Sequence, residues 1–107
     1  MDPRLRGSDG LKSPGMLVSH YAPSKPMRLQ ATDVRDGEAL LAFGAHVPKA
    51  MLVENLSPSG NLQEAAANLF SMLRRLDASN AKSIAVMPIR EEGLGVAIND
   101  RLKRAAS

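Results

Sequence analysis

From Asn61 to Ala106 the chain reads NLQEAAANLFSMLRRLDASNAKSIAVMPIREEGLGVAINDRLKRAA, and the apolar spacing changes twice along it. Leu62, Ala65, Ala66, Leu69, Phe70, Leu73 and Leu76 recur at offsets of 3, 4, 7, 8, 11 and 14 from the first, the stripe of an amphipathic helix. Asn61 stands just ahead of this run and Glu64 three residues later, the form of a capping box with Asn as N-cap. Ser79 and Asn80 are poor helix formers, so the helix is expected to end between Asp77 and Asn80. Ser83 to Ile89, SIAVMPI, is then a short unbroken apolar run and reads as a strand. Pro88 cannot donate a ladder bond, so the strand stops there or turns that side to an edge. After the turn Glu91 to Gly95, the residues Leu94, Ala97, Ile98, Leu102 and Ala105 return to helical spacing. A helix, a strand and a second helix in sequence imply right-handed βαβ connections and a largely parallel sheet.

Towards the N-terminus, Ala50 to Leu56 (AMLVENL) reads as a strand closed by the turn Ser57-Pro58-Ser59-Gly60. Ala39 to Phe43 (ALLAF) is continuously apolar, as expected of a strand covered on both faces, and Gly44 ends it. Met27 to Gln30 (MRLQ) is a short strand, separated from ALLAF by a polar stretch with an Asp-Gly turn at Asp36 and Gly37. The order is strand, strand, strand, helix, strand, helix: an α/β fold with no internal repeat. Ahead of it lies Lys12 to Pro26, KSPGMLVSHYAPSKP, with three of the seven prolines and the only tyrosine. Proline sets φ and pushes the preceding residue into extended geometry, so Ser13, Ala22 and Lys25 are extended and the segment is a semi-rigid arm. Residues 1–12 show no periodicity and are expected to be disordered. Residues up to about 26 are expected to be mobile or to rest on the domain surface.

Composition limits the function. The chain has 107 residues, 44% hydrophobic and 23% charged, with 3% aromatic, which fits one small domain with an aliphatic core. There is no cysteine, hence no disulfide and no thiolate metal site. No apolar run approaches the roughly 20 residues of a membrane span. MDPRLRGSDG lacks the apolar centre of a signal peptide, so a cytoplasmic location is expected. The net charge of +3 is scattered. Arg74 with Arg75, and Arg101, Lys103 and Arg104, fall in the last turns of the two helices, where cations complement the dipole. No aromatic platform accompanies them, so direct nucleic-acid binding is not expected.

Catalytic motifs are scarce. There is no P-loop, no cysteine nucleophile and no G-x-S-x-G elbow. His20 and His46 are 26 positions apart with no spaced carboxylate, which argues against a metal site. Glu91 and Glu92 read as a solvated turn. Two glycine-bearing turns, Ser57 to Asn61 and Glu91 to Gly95, precede helix N-termini, where anions are favoured. The first, with Ser59, Gly60 and Asn61, is a possible anion-binding turn, and the competing reading is that the glycines merely make the bends. The glutamates would repel phosphate from the second.

Three blocks resemble one family: SPGMLVSHYAP (Ser13 to Pro23), ENLSPSGNLQEAAANLFSMLRRLDA (Glu54 to Ala78) and GLGVAINDRLKRAA (Gly93 to Ala106). They are similar to the interdomain linker and C-terminal accessory domain of the long form of threonylcarbamoyl-AMP synthase, and the likeness runs from about Lys12 to the end. The resemblance implies a small Rossmann-like three-layer domain at residues 27–107, preceded by a linker at residues 13–26. It also implies a parent enzyme that makes threonylcarbamoyl-AMP and pyrophosphate from ATP, L-threonine and bicarbonate, for N6-threonylcarbamoyladenosine in transfer RNA. In that family the chemistry belongs to a YrdC-type catalytic domain that uses ATP and Mg, and the linker folds over its cavity as a gate. On the matching positions the gate would be Ser13, Gly15, His20, Tyr21 and Pro23. The expectation is therefore an accessory domain with no catalytic residues of its own, without the catalytic domain and inactive alone. It would bind no cofactor strongly, would partner a catalytic domain in cis or in trans, and would touch ATP or threonylcarbamoyl-AMP weakly through the linker. The rival readings are a protein-interaction module that uses the arm as a ligand, and a small nucleotide hydrolase that uses His20.

Overall fold

The computed structural model of the chain describes residues 22–107. Strands β1 (Met27–Arg28), β2 (Glu38–Ala42), β3 (Val53–Asn55) and β4 (Ser83–Val86) form one sheet in the order β1-β4-β2-β3. Every neighbouring pair is parallel. Helix α1 (Leu62–Asp77) follows β3, and α2 (Leu94–Ala106) follows β4. The order of elements and the parallel sheet agree with the periodicity of the sequence.

β2 is central, and all five of its residues are buried because alternate side chains meet different layers. Ala39 and Leu41 face the helices, in a core with Leu56, Leu69, Leu73, Leu76, Ile84, Val86, Ile98 and Leu102. Leu40 and Ala42 face the other way, in a smaller core with Ala31 and Ala85 that Val34, Val47 and Ala50 cover. Those covering residues belong to the connections β1–β2 and β2–β3. Both helices therefore lie on one face, and the third layer is irregular chain.

Three strands are shorter than the stretches the sequence suggests, β4 keeping Ser83–Val86 of Ser83 to Ile89. At Gln30 the backbone turns to φ 56°, and Ala31 N–H then donates to Val86 O at 2.8 Å, so β1 ends at Arg28 and the chain kinks outward past it. β3 keeps only Val53–Asn55 of Ala50 to Leu56. Pro88 stands exposed beyond the end of β4.

α1 follows its sequence stripe: Ala65, Leu69, Leu73 and Leu76 are buried, while Leu62, Ala66 and Phe70 are half-buried. Asn61 is the N-cap and its side chain accepts from Glu64 N. At the other end Ser79 Oγ donates to Leu76 O at 2.5 Å. α2 departs from its stripe. The buried residues are Gly95, Ile98, Asn99 and Leu102, whereas Leu94 is 44% exposed and Ala97 is exposed. The inward face is rotated because Gly95 must lie against the preceding loop: a β-carbon there would stand 1.8 Å from Arg90 O. A stripe drawn through apolar residues alone passes over a glycine and an asparagine. The basic residues at the helix ends occupy the expected places, Arg74 and Arg75 in the last turn of α1, Lys103 and Arg104 in that of α2.

Candidate functional site

The described end of the arm is held by the Asp77 side chain and by Ile84 N–H, which donates to Pro26 O at 2.9 Å. Asp77, the last residue of α1, accepts from Lys25 N at 3.1 Å through Oδ1 and from Ser24 N at 3.2 Å through Oδ2. Ser24 Oγ donates to the same carboxylate at 3.2 Å. Lys25 Nζ also bonds the Asp77 backbone carbonyl, placing an ammonium at the carbonyl end of the helix, where the dipole favours it. A carboxylate in the last turn of a helix is unfavourable unless it finds donors, and here two successive backbone N–H groups supply them. Pro23, half-buried, immediately precedes this clamp. Residues 22–26 thus rest on the domain surface. Ser13, Gly15, His20 and Tyr21 lie outside the described residues.

The turn before α1 is closed by its own groups. Ser57, fully buried, accepts from Asn61 N at 2.8 Å and donates to Glu64 Oε1 at 2.5 Å. Gly60, at φ 76°, donates its N–H to Ser57 O, and its own carbonyl accepts from Arg90 Nη2 at 2.9 Å. Arg90 lies 5.5 Å from the centre of the Phe43 ring. Ser59 is exposed, with its hydroxyl 3.2 Å from that of Ser57. Asn61 spends its side-chain oxygen on Glu64 N at 2.8 Å. Ser59, Gly60 and Asn61 are thus brought together as a helix cap with a carboxylate at its mouth. Arg90 is the cationic side chain beside this turn, and its Nε also lies 3.8 Å from Glu92 Oε1. At the second turn Gly93 caps α2 without a side chain, at φ 51°, and Glu91 and Glu92 are solvated.

A third cluster ties the loop layer to the sheet. Arg28 and Glu38 form a two-pronged pair, Nε to Oε2 at 3.0 Å and Nη2 to Oε1 at 2.7 Å. Arg35 N also donates to Glu38 Oε1 at 2.8 Å, and Arg28 reaches Asp33 at 3.3 Å. Glu38 is buried on the loop-facing side of β2. The hydrogen bond from Arg28 holds its carboxyl below the ordinary glutamate range, against burial, which acts the other way, and Arg35 N–H adds to the lowering. The same pairing raises Arg28. This cluster positions the β1–β2 connection rather than a substrate.

Sequence reading placed Ser24 and Lys25 on the arm but missed Asp77 as their partner, and it missed the Arg28–Glu38 pair. The signals were present but weak: an acidic residue at the wrong end of a helix, and a glutamate opening a fully apolar strand. Among the described residues no group of three or more His, Asp or Glu could hold a metal ion. Nor, among them, is any helix long and apolar enough to cross a membrane.

Comparison with known proteins places this geometry in a family. Residues 3–107 match the family model described as "Threonylcarbamoyl-AMP synthase, C-terminal domain". The chain is 31% identical over 113 residues to the threonylcarbamoyl-AMP synthase of Pyrococcus abyssi (strain GE5 / Orsay), covering 92% of this chain and 33% of that protein. It is 29% identical over 109 residues to the threonylcarbamoyl-AMP synthase of Bacillus subtilis (strain 168), covering 88% of this chain and 32% of the relative. In fold it is similar to the crystal structure of P. abyssi Sua5 complexed with L-threonine, with a TM-score of 0.64 and 26% identity over 92% of this chain and 32% of that one. The chain spans about a third of the length of the relatives it matches. It belongs to the family of threonylcarbamoyl-AMP synthase C-terminal domains.

Proposed function

We propose that this chain acts as the accessory domain of an L-threonylcarbamoyladenylate synthase, in the cytoplasm, beside a YrdC-type catalytic domain. That domain would join ATP, L-threonine and bicarbonate to give threonylcarbamoyl-AMP and pyrophosphate for transfer-RNA modification. The arm would gate its cavity. The observation that carries this reading is the clamp of Ser24 and Lys25 on Asp77. An arm anchored at its root searches a small volume, which raises its effective concentration over a neighbouring site. His20 and Tyr21 are within four residues of Ser24, so their backbone stays within about 14 Å of the anchor even when fully extended.

On this reading the clamp is the hinge, Pro23 stiffens the chain beside it, and His20 and Tyr21 donate to phosphate oxygens when the gate closes. Ser13 and Gly15 lie farther along the arm and complete the cover. A closed arm excludes water from a reactive mixed anhydride. ATP and Mg belong to the catalytic domain; the described residues of this chain contribute no cluster of cation ligands. Contact with ATP or threonylcarbamoyl-AMP through the arm is weak in the absence of that domain.

The experiment is to assay pyrophosphate release from ATP, L-threonine, bicarbonate and magnesium. The chain alone is expected to give none, and the chain joined to a YrdC-type domain to give turnover. Asp77→Ala in the joined protein is expected to raise KM for ATP and to release free AMP at the expense of threonylcarbamoyl-AMP. Robust turnover by the chain alone would sink the accessory role, and an unaltered Asp77→Ala enzyme would sink the hinge.

A further inference from the structure

The crevice at the carboxyl ends of β1 and β4 has features that neither the arm nor the family likeness accounts for. After β1 the chain crosses to the loop-covered face, where Ala31 and Val34 pack. After β4 it crosses to the helix face, where Ile89 packs with Ile98 and Leu102. Neighbouring parallel strands whose connections leave to opposite faces open a crevice between their ends, where open α/β sheets receive ligands. Here the crevice has a volume of about 60 Å³ and an apolar wall of Leu29, Val86, Met87 and Leu102.

Three polar residues complete it. Asn99 is 5% exposed, and its Nδ2 donates to Ile89 O at 2.9 Å. A carbonyl can only accept, so this contact assigns Nδ2 and leaves Oδ1 as the other atom of the amide. Among the described residues that oxygen accepts no hydrogen bond, and Asn99 is one of the residues lining the crevice. Buried polar atoms of this kind are ordinarily satisfied. Lys103 lies one helical turn further on the same face of α2, exposed, at the crevice rim, and makes no ion pair with a described residue. Gln30 closes the opposite rim from a backbone at φ 56°, a region that costs a glutamine conformational energy.

We propose that this crevice binds a small α-amino acid as its zwitterion. The ammonium donates to Asn99 Oδ1, the carboxylate accepts from Lys103 Nζ, and the side chain lies against Leu29 and Met87. Residues four apart on a helix hold their β-carbons about 5–6 Å from each other. A ligand with donor and anion on adjacent carbons bridges that spacing, whereas an amine or a carboxylate alone reaches one partner. Binding is non-covalent.

The test is a titration of the 107-residue chain, followed by amide NMR, with glycine and L-alanine as probes and acetate and methylamine as half-ligand controls. Saturable shifts are expected at Leu29, Gln30, Met87, Asn99 and Lys103, with a Kd on the order of 1 mM. Lys103→Glu, an exposed change that leaves the fold intact, is expected to weaken binding by about tenfold or more. Asn99→Leu, checked for folding by its spectrum, is expected to abolish it. Three results would each overturn the proposal: no saturation, identical shifts from acetate alone, or unchanged affinity in Lys103→Glu. The first of these would mean that Asn99 Oδ1 is satisfied by water only.

Discussion

Ser57 Oγ lies 2.5 Å from Glu64 Oε1, and this hydroxyl rebuilds the capping box at the head of α1. In the simple box the N3 carboxylate reaches back to the N-cap N–H. Here Asn61 N–H donates to Ser57 Oγ at 2.8 Å, and Ser57 passes the interaction on to Glu64. Glu64 N–H donates to Asn61 Oδ1 at 2.8 Å and closes the ring. A serine from the preceding turn thus locks strand β3, the turn and the helix into one unit.

Replacing Ser57 with Ala removes the shared partner of two groups in a fully buried position. The expected loss is about 1–3 kcal/mol in urea unfolding. Asn61→Ala is expected to cost about 1 kcal/mol. The two should sum to more than the double variant loses, since they belong to one network.

Gly95→Ala reverses the usual rule for helices. In an open helix interior the exchange gains about 1 kcal/mol. At this position the new methyl would stand 1.8 Å from Arg90 O, a backbone atom that cannot swing aside. A net destabilisation of about 1–3 kcal/mol is expected from overpacking. An unchanged or higher melting temperature would show that α2 can slide away from the loop.

The rotated face of α2 gives a paired prediction. Ile98 is 3% exposed and Leu94 is 44% exposed. Ile98→Ala should cost about 2–5 kcal/mol, and Leu94→Ala less than about 1 kcal/mol. Equal costs would return the inward face to the stripe that the apolar residues alone suggest.

Glu38 makes stability depend on acid. Its carboxyl titrates lower in the folded chain than in the unfolded one, chiefly through the hydrogen bond from Arg28. The unfolded chain therefore binds the proton first. The stabilisation is fully present above the unfolded value of about 4.3 and is lost as pH falls through the lower folded value. Glu38→Gln should be less stable at neutral pH and should show a shallower fall between pH 5 and pH 3 on the order of one titrating group. Parallel curves for the two proteins would remove Glu38 as the origin.

The sequence by itself determined the order of elements, the parallel sheet and the position of both helices. Those features follow from local spacing: a period near 3.6 over Leu62 to Leu76, and unbroken apolar runs too short for helices at Ala39 to Phe43 and Ser83 to Ile89. It also located the Asn61 cap, because a cap is a contact between residues three apart. Only the tertiary structure decided the rest, because the deciding partners are distant in the chain. Asp77 and Lys25 are 52 positions apart, and Arg28 and Glu38 meet across a connection whose length alone does not set its path. The inward face of α2 was likewise decided by the approach of the Arg90 carbonyl to Gly95, a steric fact with no signature in hydrophobicity. Asn99 came to the crevice with that rotation. Short-range periodicity is written in residue types, whereas hinges and crevices arise where separate segments are brought together by packing.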